Sequence, residues 1–274
     1  MKTLRTISLC ALLTLLATAV SAQQTEQQAR IITNAKMLGV GHANILDTYL
    51  SPEEYTGPEL RYISHTTREK DHSRLMREIV HQGSFAYTDN RAGKGREMAG
   101  NYNFQYGFHY RTLDMQLGPG QLTISAGGNA DFNLGFIYNT RNSNNPAQAR
   151  AFFNITPTMV AAYRFTIKTH PHTLRYELGV PLLGVMFSPN YGQSYYEIFS
   201  EGNYDHNIVP TGLWNAPSMR QLLTYDFPLW HATVRVGYLG EYQQARVNHL
   251  KSHIYTHALV LGIVRKFSLT KLQP

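Results

Sequence analysis

The segment from Asn101 to Arg111 constrains the fold more than any other part of the sequence. Its residues alternate strictly between aromatic side chains and side chains that are polar or glycine. The aromatic residues are Tyr102, Phe104, Tyr106, Phe108 and Tyr110. Because successive side chains of a strand point to opposite faces, this pattern predicts a strand with one aromatic face and one polar face. Such a strand fits either a water-facing sheet over a protein core or a barrel wall between lipid and a wet lumen.

The first 22 residues have the pattern of a secretory signal peptide. Lys2 and Arg5 precede an apolar stretch over residues 7–16, and Val20-Ser21-Ala22 ends it with a small-residue cleavage pattern. The apolar stretch is shorter than the roughly 20 residues that a membrane-spanning helix needs. We therefore predict export with removal of residues 1–22. Cys10 is the only cysteine, so the mature chain is predicted to have no disulfide, zinc-thiolate site or cysteine nucleophile.

Composition bounds the mature chain further. Removing Lys2 and Arg5 from the 25 basic residues leaves 23 against 18 acidic residues, so the net charge falls from +7 to +5. An exported chain of this mild charge is not expected to bind nucleic acid. It is rich in tyrosine, with 18 Tyr and only 16% charged residues. After the signal peptide no apolar run approaches 18 residues, so a membrane crossing would have to use strands.

The connections between the alternating segments differ at the two ends of the predicted hairpins. Polar loops at residues 89–96 and 141–148 alternate with short turns at residues 118–120 and 228–229. Outer-membrane barrels have this asymmetry, with longer extracellular loops and short periplasmic turns. We therefore predict an all-β fold, a single closed antiparallel transmembrane β-barrel over residues 36–269. A flexible polar leader, 23–35, is predicted before it and a C-terminal tail, 270–274, after it.

The number of strands depends on residues 188–218, which alternate poorly. If this segment is a loop, the barrel has 10 strands, and if it contains a hairpin, the barrel has 12. Both numbers are even, as expected when both termini lie in the periplasm. We favour 12 strands. A barrel of this size has a narrow interior that side chains largely fill, so large solute flux is not expected.

Two parts of the chain support a family resemblance. They are residues 190–221, with NYGQSYYEIF followed by GNYDHNIVPTGLWNAPSMRQ, and residues 237–251, GYLGEYQQARVNHLK. With these segments the chain resembles secreted, uncharacterised proteins of Bacteroidota that form domain-of-unknown-function family 3316. The resemblance covers about residues 36 to 269. It implies an outer-membrane or envelope location and adds no catalytic signature.

The alternation also sorts side chains between the two faces of the wall. The inward, lumen-lining set is predicted to be Glu78, Gln105, His109, Arg111, Asp131, Asn133, His231, Arg235 and Glu241. These side chains either fill the lumen as ion pairs and hydrogen bonds or line a selective channel. The outward set, which includes Tyr102, Phe104, Tyr106, Phe108, Trp230 and Tyr238, is interpreted as lipid-facing wall and interfacial girdle.

The irregular segment holds the strongest candidates for binding. Tyr195, Tyr196, Glu197, Tyr204 and Trp214 are the predicted binding residues, on a loop folded over the barrel mouth. Asp205 and His206 are weak catalytic candidates. The sequence has no Gly-x-Ser-x-Gly and no His-Glu-x-x-His pattern. The twelve histidines show no spacing that brings three or four ligands together, so we predict no metal and no cofactor.

These observations predict an outer-membrane β-barrel of a Gram-negative bacterium with a structural, interaction or narrow-pore role. Its expected partners are outer-membrane lipid and the barrel-assembly machinery. One alternative is a hydrolase that acts on lipid or peptide at the barrel mouth or in the lumen. Another is a soluble secreted β-protein.

Overall fold

The computed structural model describes residues 30–70, 73–143 and 145–269. The predicted signal peptide, most of the predicted leader and the tail lie outside these residues. The strands are β1 (Arg30–Asp47), β2 (Ser51–Lys70), β3 (Leu75–Asn90), β4 (Arg96–Leu117), β5 (Gly120–Asn139), β6 (Ala147–Ile167), β7 (His170–Gly179), β8 (Leu183–Phe187), β9 (Ile208–Gly212), β10 (Met219–Leu229), β11 (Ala232–Val247) and β12 (Leu250–Leu269). One short helix, α1 (Tyr195–Phe199), lies between β8 and β9. No helix in the described residues is long and apolar enough to span a membrane.

Ten of the strands form a closed antiparallel barrel, which confirms the predicted fold class. Each wall strand pairs with its neighbours in the order β5-β4-β3-β2-β1-β12-β11-β10-β7-β6, and β6 pairs with β5. β1 pairs with β12 along its whole length, from Arg30 opposite Leu269 to Asp47 opposite Ser252. We call the end that holds Arg30 and Leu269 the terminal end and the other the loop end. β1 begins within the predicted leader, so the barrel starts six residues before the predicted boundary at residue 36.

The two remaining strands explain the ambiguity in the strand count. β8 continues the line of β7 along β6, since Gly179 pairs with Thr158 and Leu183 pairs with Ile155. β9 pairs with β8 and continues towards β10 through residues 213–218. The segment from β8 to β9 is therefore a hairpin extension of two wall strands. It adds no strand to the closed barrel, which has ten strands rather than the favoured twelve.

This extension leaves a gap in the hydrogen bonding of the wall. β10 pairs with β11 only up to Met219 opposite Tyr242, whereas β11 continues to Val247. Between Tyr242 and the loop end, two hydrogen bonds join β11 to the segment 213–218. Arg246 N donates to Asn215 O at 2.7 Å, and Gln244 N donates to the Ser218 hydroxyl at 3.3 Å. Pro210 in β9 has no amide proton, so it cannot donate a backbone hydrogen bond to a strand on the edge of β9 opposite β8. We call this gap between β9 and residues 243–247 the seam.

The predicted alternation of β4 is present in the structure. Tyr102, Phe108 and Tyr110 are about half-exposed on the outer face, whereas Asn103 and His109 are buried inside. Neighbouring strands extend this apolar outer face. Its exposed members include Leu38, Val40, Leu60, Phe85, Phe132, Leu134, Phe136, Leu259, Leu261 and Ile263. The barrel therefore has an apolar outside and a largely polar inside, the reverse of a soluble protein.

Two predicted wall residues lie in a turn instead. Trp230 and His231 form the two-residue connection between β10 and β11. Trp230 is 92% exposed with a φ of 53°, and His231 is exposed. The prediction of an inward His231 and a lipid-facing wall position for Trp230 is wrong, because β10 continues to Leu229 and the strand alternation stops at the turn.

Candidate binding site in the barrel interior

The interior of the barrel has an apolar side and a charged side. Inward residues of β1 to β3 and β10 to β12 form the apolar side, a buried cluster that includes Met37, Ile63, Val80, Leu222 and Leu239. The charged side consists of buried charged residues on β2 to β7, together with residues of β10 and β11 such as Arg220 and Glu241. A buried charge is costly unless a partner and hydrogen bonds compensate for it. The contacts on the charged side therefore decide what the interior can do.

Glu78 lies at the centre of the charged side and is fully buried. Its Oε1 is 2.6 Å from His65 Nε2 and accepts a hydrogen bond from Arg175 Nη2 at 2.9 Å. Its Oε2 accepts from Asn129 at 3.5 Å and lies 3.7 Å from His109 Nε2. These contacts join strands β2, β3, β4, β5 and β7 across the lumen.

Glu177 and Arg61 extend the charged network. Arg175 Nη1 donates to Glu177 at 2.5 Å, and Arg220 Nη1 donates to the other Glu177 oxygen at 2.9 Å. Arg61 donates to Glu59 at 2.7 Å and also to Glu241. We call these two groups of buried ion pairs together the plug.

The plug contains one group with the composition of a metal site. Among the described residues, His65, Glu78 and Glu177 place one ligand atom each within 4.8 Å of one another. Arg175 donates to both of these carboxylates. Its guanidinium thus supplies the positive charge that a metal ion would bring, so we interpret the group as an ion-pair network.

Two cavities lie on either side of the plug. The vestibule, at the terminal end, has a volume of about 360 Å³ and includes His65 and Arg175 in its lining. Its carboxylates Glu69 and Asp226 pair with Arg111 and Arg235, while Arg74, Arg164 and Lys266 add further positive charge. The second cavity, which we call the seam cavity, has a volume of about 60 Å³ and includes Glu177, Arg220 and Glu241 in its floor. The ion pair between Arg175 and Glu177 therefore separates the two cavities.

The seam cavity contains polar atoms that lack partners. Arg150, Thr156 and Arg220 line it and are each more than 90% buried. Within the described part of the chain, Arg150 Nε, Arg220 Nε and Thr156 Oγ1 have no hydrogen-bond partner. Since buried polar groups are nearly always hydrogen-bonded, these atoms mark a place for a ligand or ordered water.

The structure places the predicted lining residues as follows. Glu78, Gln105, His109, Asp131, Asn133, Arg235 and Glu241 are buried and point inward. Arg111 lines the vestibule, where it pairs with Glu69 at 3.2 Å. Sequence reasoning missed His65, Arg175, Glu177, Arg220, Arg61 and Arg150. The alternation of Arg175 and Glu177 with apolar Leu174, Tyr176 and Leu178 was a signal that could have identified two of them.

The predicted binding residues of the irregular segment lie apart from the plug, at the loop end. Ser194 and Glu197 form a capping box at the start of α1. The Ser194 amide and hydroxyl donate to Glu197 and hold the pKa of this carboxyl below its ordinary value. Tyr196, Tyr204 and Trp214 are each more than 60% exposed. These three side chains are individually exposed and line neither of the two cavities described above.

Tyr195 anchors the helix to the barrel. Its hydroxyl accepts from Ala149 N at 2.7 Å and donates to Gln148 at 2.8 Å, while its ring packs edge-on against Tyr49. Burial raises the pKa of Tyr49 to about 12 and raises the pKa of Tyr195 as well. Both phenols therefore stay protonated at neutral pH and act as structural contacts.

The weak catalytic candidates occupy an exposed turn. Asp205 Oδ1 lies 2.5 Å from His206 Nδ1, and both side chains are at least 75% exposed. Their backbone carbonyls accept hydrogen bonds from the Asn190 and Asn248 amides, both at 2.9 Å. The turn is thus held through its backbone, and the pair has the surroundings of a surface ion pair.

Asn248 supports a testable prediction about this segment. It lies in the turn after β11 with a φ of 50°, and its Nδ2 donates to Ser188 O at 3.0 Å and His206 O at 2.9 Å. Asn248→Gly keeps the left-handed backbone accessible but removes both hydrogen bonds. We expect amide hydrogen exchange in residues 190–207 to accelerate about fivefold per lost bond, at about 1 kcal/mol each. His249→Gly, in the same turn, is the matched control, and equal exchange in both variants would contradict the prediction.

Comparison with known proteins gives a family and a set of similar folds. A family model described as a protein of unknown function (DUF3316) matches residues 7–274. No curated protein matches the chain significantly. The chain is similar to the outer membrane protease OmpT of Escherichia coli, with 6% identity, a TM-score of 0.46, and 89% of this chain and 98% of that chain covered.

Two further solved structures are similar over most of their length. The translocator domain of the autotransporter NalP of Neisseria meningitidis has 11% identity and a TM-score of 0.34, and the match covers 94% of this chain and 97% of that chain. Neisserial surface protein A has 13% identity and a TM-score of 0.33, and the match covers 86% of this chain and 97% of that chain.

Proposed function

We propose that this chain, which belongs to the DUF3316 family of proteins of unknown function, is a plugged outer-membrane β-barrel with a non-enzymatic role. Its strands contact outer-membrane lipid, and the barrel-assembly machinery inserts it. The terminal end faces the periplasm and the loop end faces the exterior. The barrel presents an aromatic loop surface outside the cell and does not conduct solutes.

The outer face supports the membrane location. Leu38 is 70% exposed, and Leu134 and Leu259 are each 66% exposed. They belong to an apolar surface that continues over several neighbouring strands. A soluble protein seldom exposes such a large contiguous apolar surface, whereas lipid solvates it without cost.

The ion pair of Arg175 with Glu177 is the observation that carries the non-conducting role. Arg175 lines the vestibule and Glu177 lines the seam cavity, so their ion pair lies between the two cavities. Glu78 and Arg220 hold these two side chains from either side. Opening a path requires the separation of charges inside a medium of low dielectric constant, which is costly.

Conductance across a planar bilayer tests this proposal. We expect the purified full-length protein to insert without discrete conductance steps in potassium chloride at neutral pH, because the plug is closed. Faster migration of the unboiled protein on a gel verifies that the inserted material is a folded barrel. Reproducible steps from such material would contradict the non-conducting role and favour a narrow channel.

A further inference from the structure

The seam cavity reaches both sides of the barrel wall. Gln243 and Ala245 of β11 point into the barrel, whereas Tyr242 and Gln244 point outward, yet all four line the same cavity. Residues whose side chains point to opposite faces of β11 therefore contribute atoms to one cavity, which lies next to this strand. The cavity therefore lies at the seam, on the edge of β11 opposite β12, where no strand of the described residues pairs with residues 243–247.

Arg150 is the distinctive polar group of this cavity. It is 8% exposed, and its only side-chain hydrogen bond among the described residues is from Nη2 to Gln243 at 3.3 Å. Asp47 and Glu241 attract its charge, but no carboxylate of the described residues lies within 4.0 Å of it. Its guanidinium lies 5.6 Å from the Phe152 ring centroid, and its Nε has no hydrogen-bond partner in the residues that the structure describes. A buried guanidinium in this state favours an anion as its missing partner.

The rest of the cavity favours a ligand that is also apolar. Phe152, Met186 and Met219 line its wall side. Leu213 and Trp214 are 48% and 68% exposed, in the segment between two lining residues of the cavity, Thr211 and Ala216. The cavity of about 60 Å³ has room for roughly four waters. This space suits a head group and the first carbons of a chain, with the rest of the chain in the seam.

The acidic floor limits the charge of the head group. Asp131, Glu177 and Glu241 line the floor, and Asp131 accepts hydrogen bonds from Asn103 and Asn133 without an ion-pair partner in the described residues. A dianion would be repelled by these carboxylates. A single negative charge next to Arg150 is therefore favoured.

From this geometry we propose that the seam cavity binds a single-chain amphiphile with a monoanionic head group, which enters sideways through the seam. The head group pairs with Arg150, and the chain lies along Phe152, Met186 and Met219. The proposal rests on the membrane location proposed above, because the chain leaves the cavity towards lipid.

The two tryptophans allow a direct test. Trp214 lies beside the seam and Trp230 in a turn at the terminal end. In a Trp230→Phe background, Trp214 is the only tryptophan, and dodecanoate brominated near its methyl end serves as a quenching probe. We expect saturable quenching of Trp214, with half-saturation raised at least about tenfold by Arg150→Gln. Arg164→Gln, on the same strand but in the vestibule, is the matched control and should bind as the background protein does.

Further binding measurements test the roles of the head-group charge, the apolar chain and the cavity separately. Brominated dodecanol should bind at least about tenfold more weakly, and acetate should not compete. Unlabelled dodecanoate and lysophosphatidylglycerol as competitors distinguish a free carboxylate from a lipid phosphodiester as the head group. Met186→Trp fills the cavity without changing its charge and, in a quenching-independent assay with radiolabelled dodecanoate, should abolish binding.

Equal binding by the background protein and a folded Arg150→Gln variant would overturn the proposal. Binding that survives Met186→Trp would overturn it as well. If the migration of Arg150→Gln on an unboiled gel shows that this variant is unfolded, the binding measured for Met186→Trp decides whether the proposal holds. If the background protein inserts into vesicles but does not bind dodecanoate, the amphiphile proposal fails and the membrane location stands. If the protein does not insert into vesicles, the proposed membrane location fails.

Discussion

Arg175→Met is expected to lower the free energy of unfolding by about 3–5 kcal/mol, the usual effect of breaking a buried ion pair by removing one partner. Arg175 donates to Glu78 at 2.9 Å and to Glu177 at 2.5 Å, and both carboxylates are fully buried. Without it, Glu78 keeps two histidines and Glu177 keeps Arg220, which leaves the plug short of one positive charge. Urea unfolding of the barrel in lipid vesicles, followed by migration on an unboiled gel, measures the change.

Arg96→Met is the control for this experiment. Arg96 pairs with Asp89 at 3.2 Å, but the two side chains are 57% and 49% exposed. The same substitution there should cost about 0–1 kcal/mol, because water screens the pair. A second comparison adds Glu78→Gln and Glu177→Gln to Arg175→Met and should recover part of the loss. Equal stability of the Arg175 and Arg96 variants would show that the plug does not hold the interior together.

Leu259→Arg is expected to lower the free energy of unfolding in vesicles by about 2–4 kcal/mol, the cost of an arginine on the lipid face near the bilayer centre. Leu259 is 66% exposed on the outer face of β12, next to Leu261 and Ile263 on the same face. In a soluble protein such an exposed position tolerates arginine within about 0.5 kcal/mol. The size of the effect therefore reports what surrounds the barrel.

Tyr196→Arg is matched to this variant by exposure. Tyr196 lies on α1 at the loop end and is also 66% exposed. We expect its replacement to change the free energy of unfolding by no more than about 0.5 kcal/mol, because the proposed membrane location leaves the loop end in water. If the two variants lose the same small amount, the outer face of β12 is in contact with water and the membrane location fails.

The sequence alone determined which side chains face each way along a strand. The alternation in β4 depends only on the local geometry of an extended chain, so Tyr102 and Asn103 could be assigned to opposite faces without knowledge of any neighbour. The same reasoning placed Glu78, Asp131 and Glu241 inside. It failed at His231, since alternation does not show where a strand gives way to a turn.

The closure of the barrel decided which inward residues meet, and this could not be read from the sequence. Arg175 contacts Glu78 across 97 positions, and Arg61 contacts Glu241 across 180. The stagger of ten strands determines these pairs, and alternation carries no information about stagger. Tertiary structure likewise produced the seam and the isolated Arg150, because both arise where β10 ends before β11 and the extension through β8 and β9 diverges from the wall. The face to which a side chain points depends on the geometry of one strand, whereas the plug and the cavity depend on how several strands pack together.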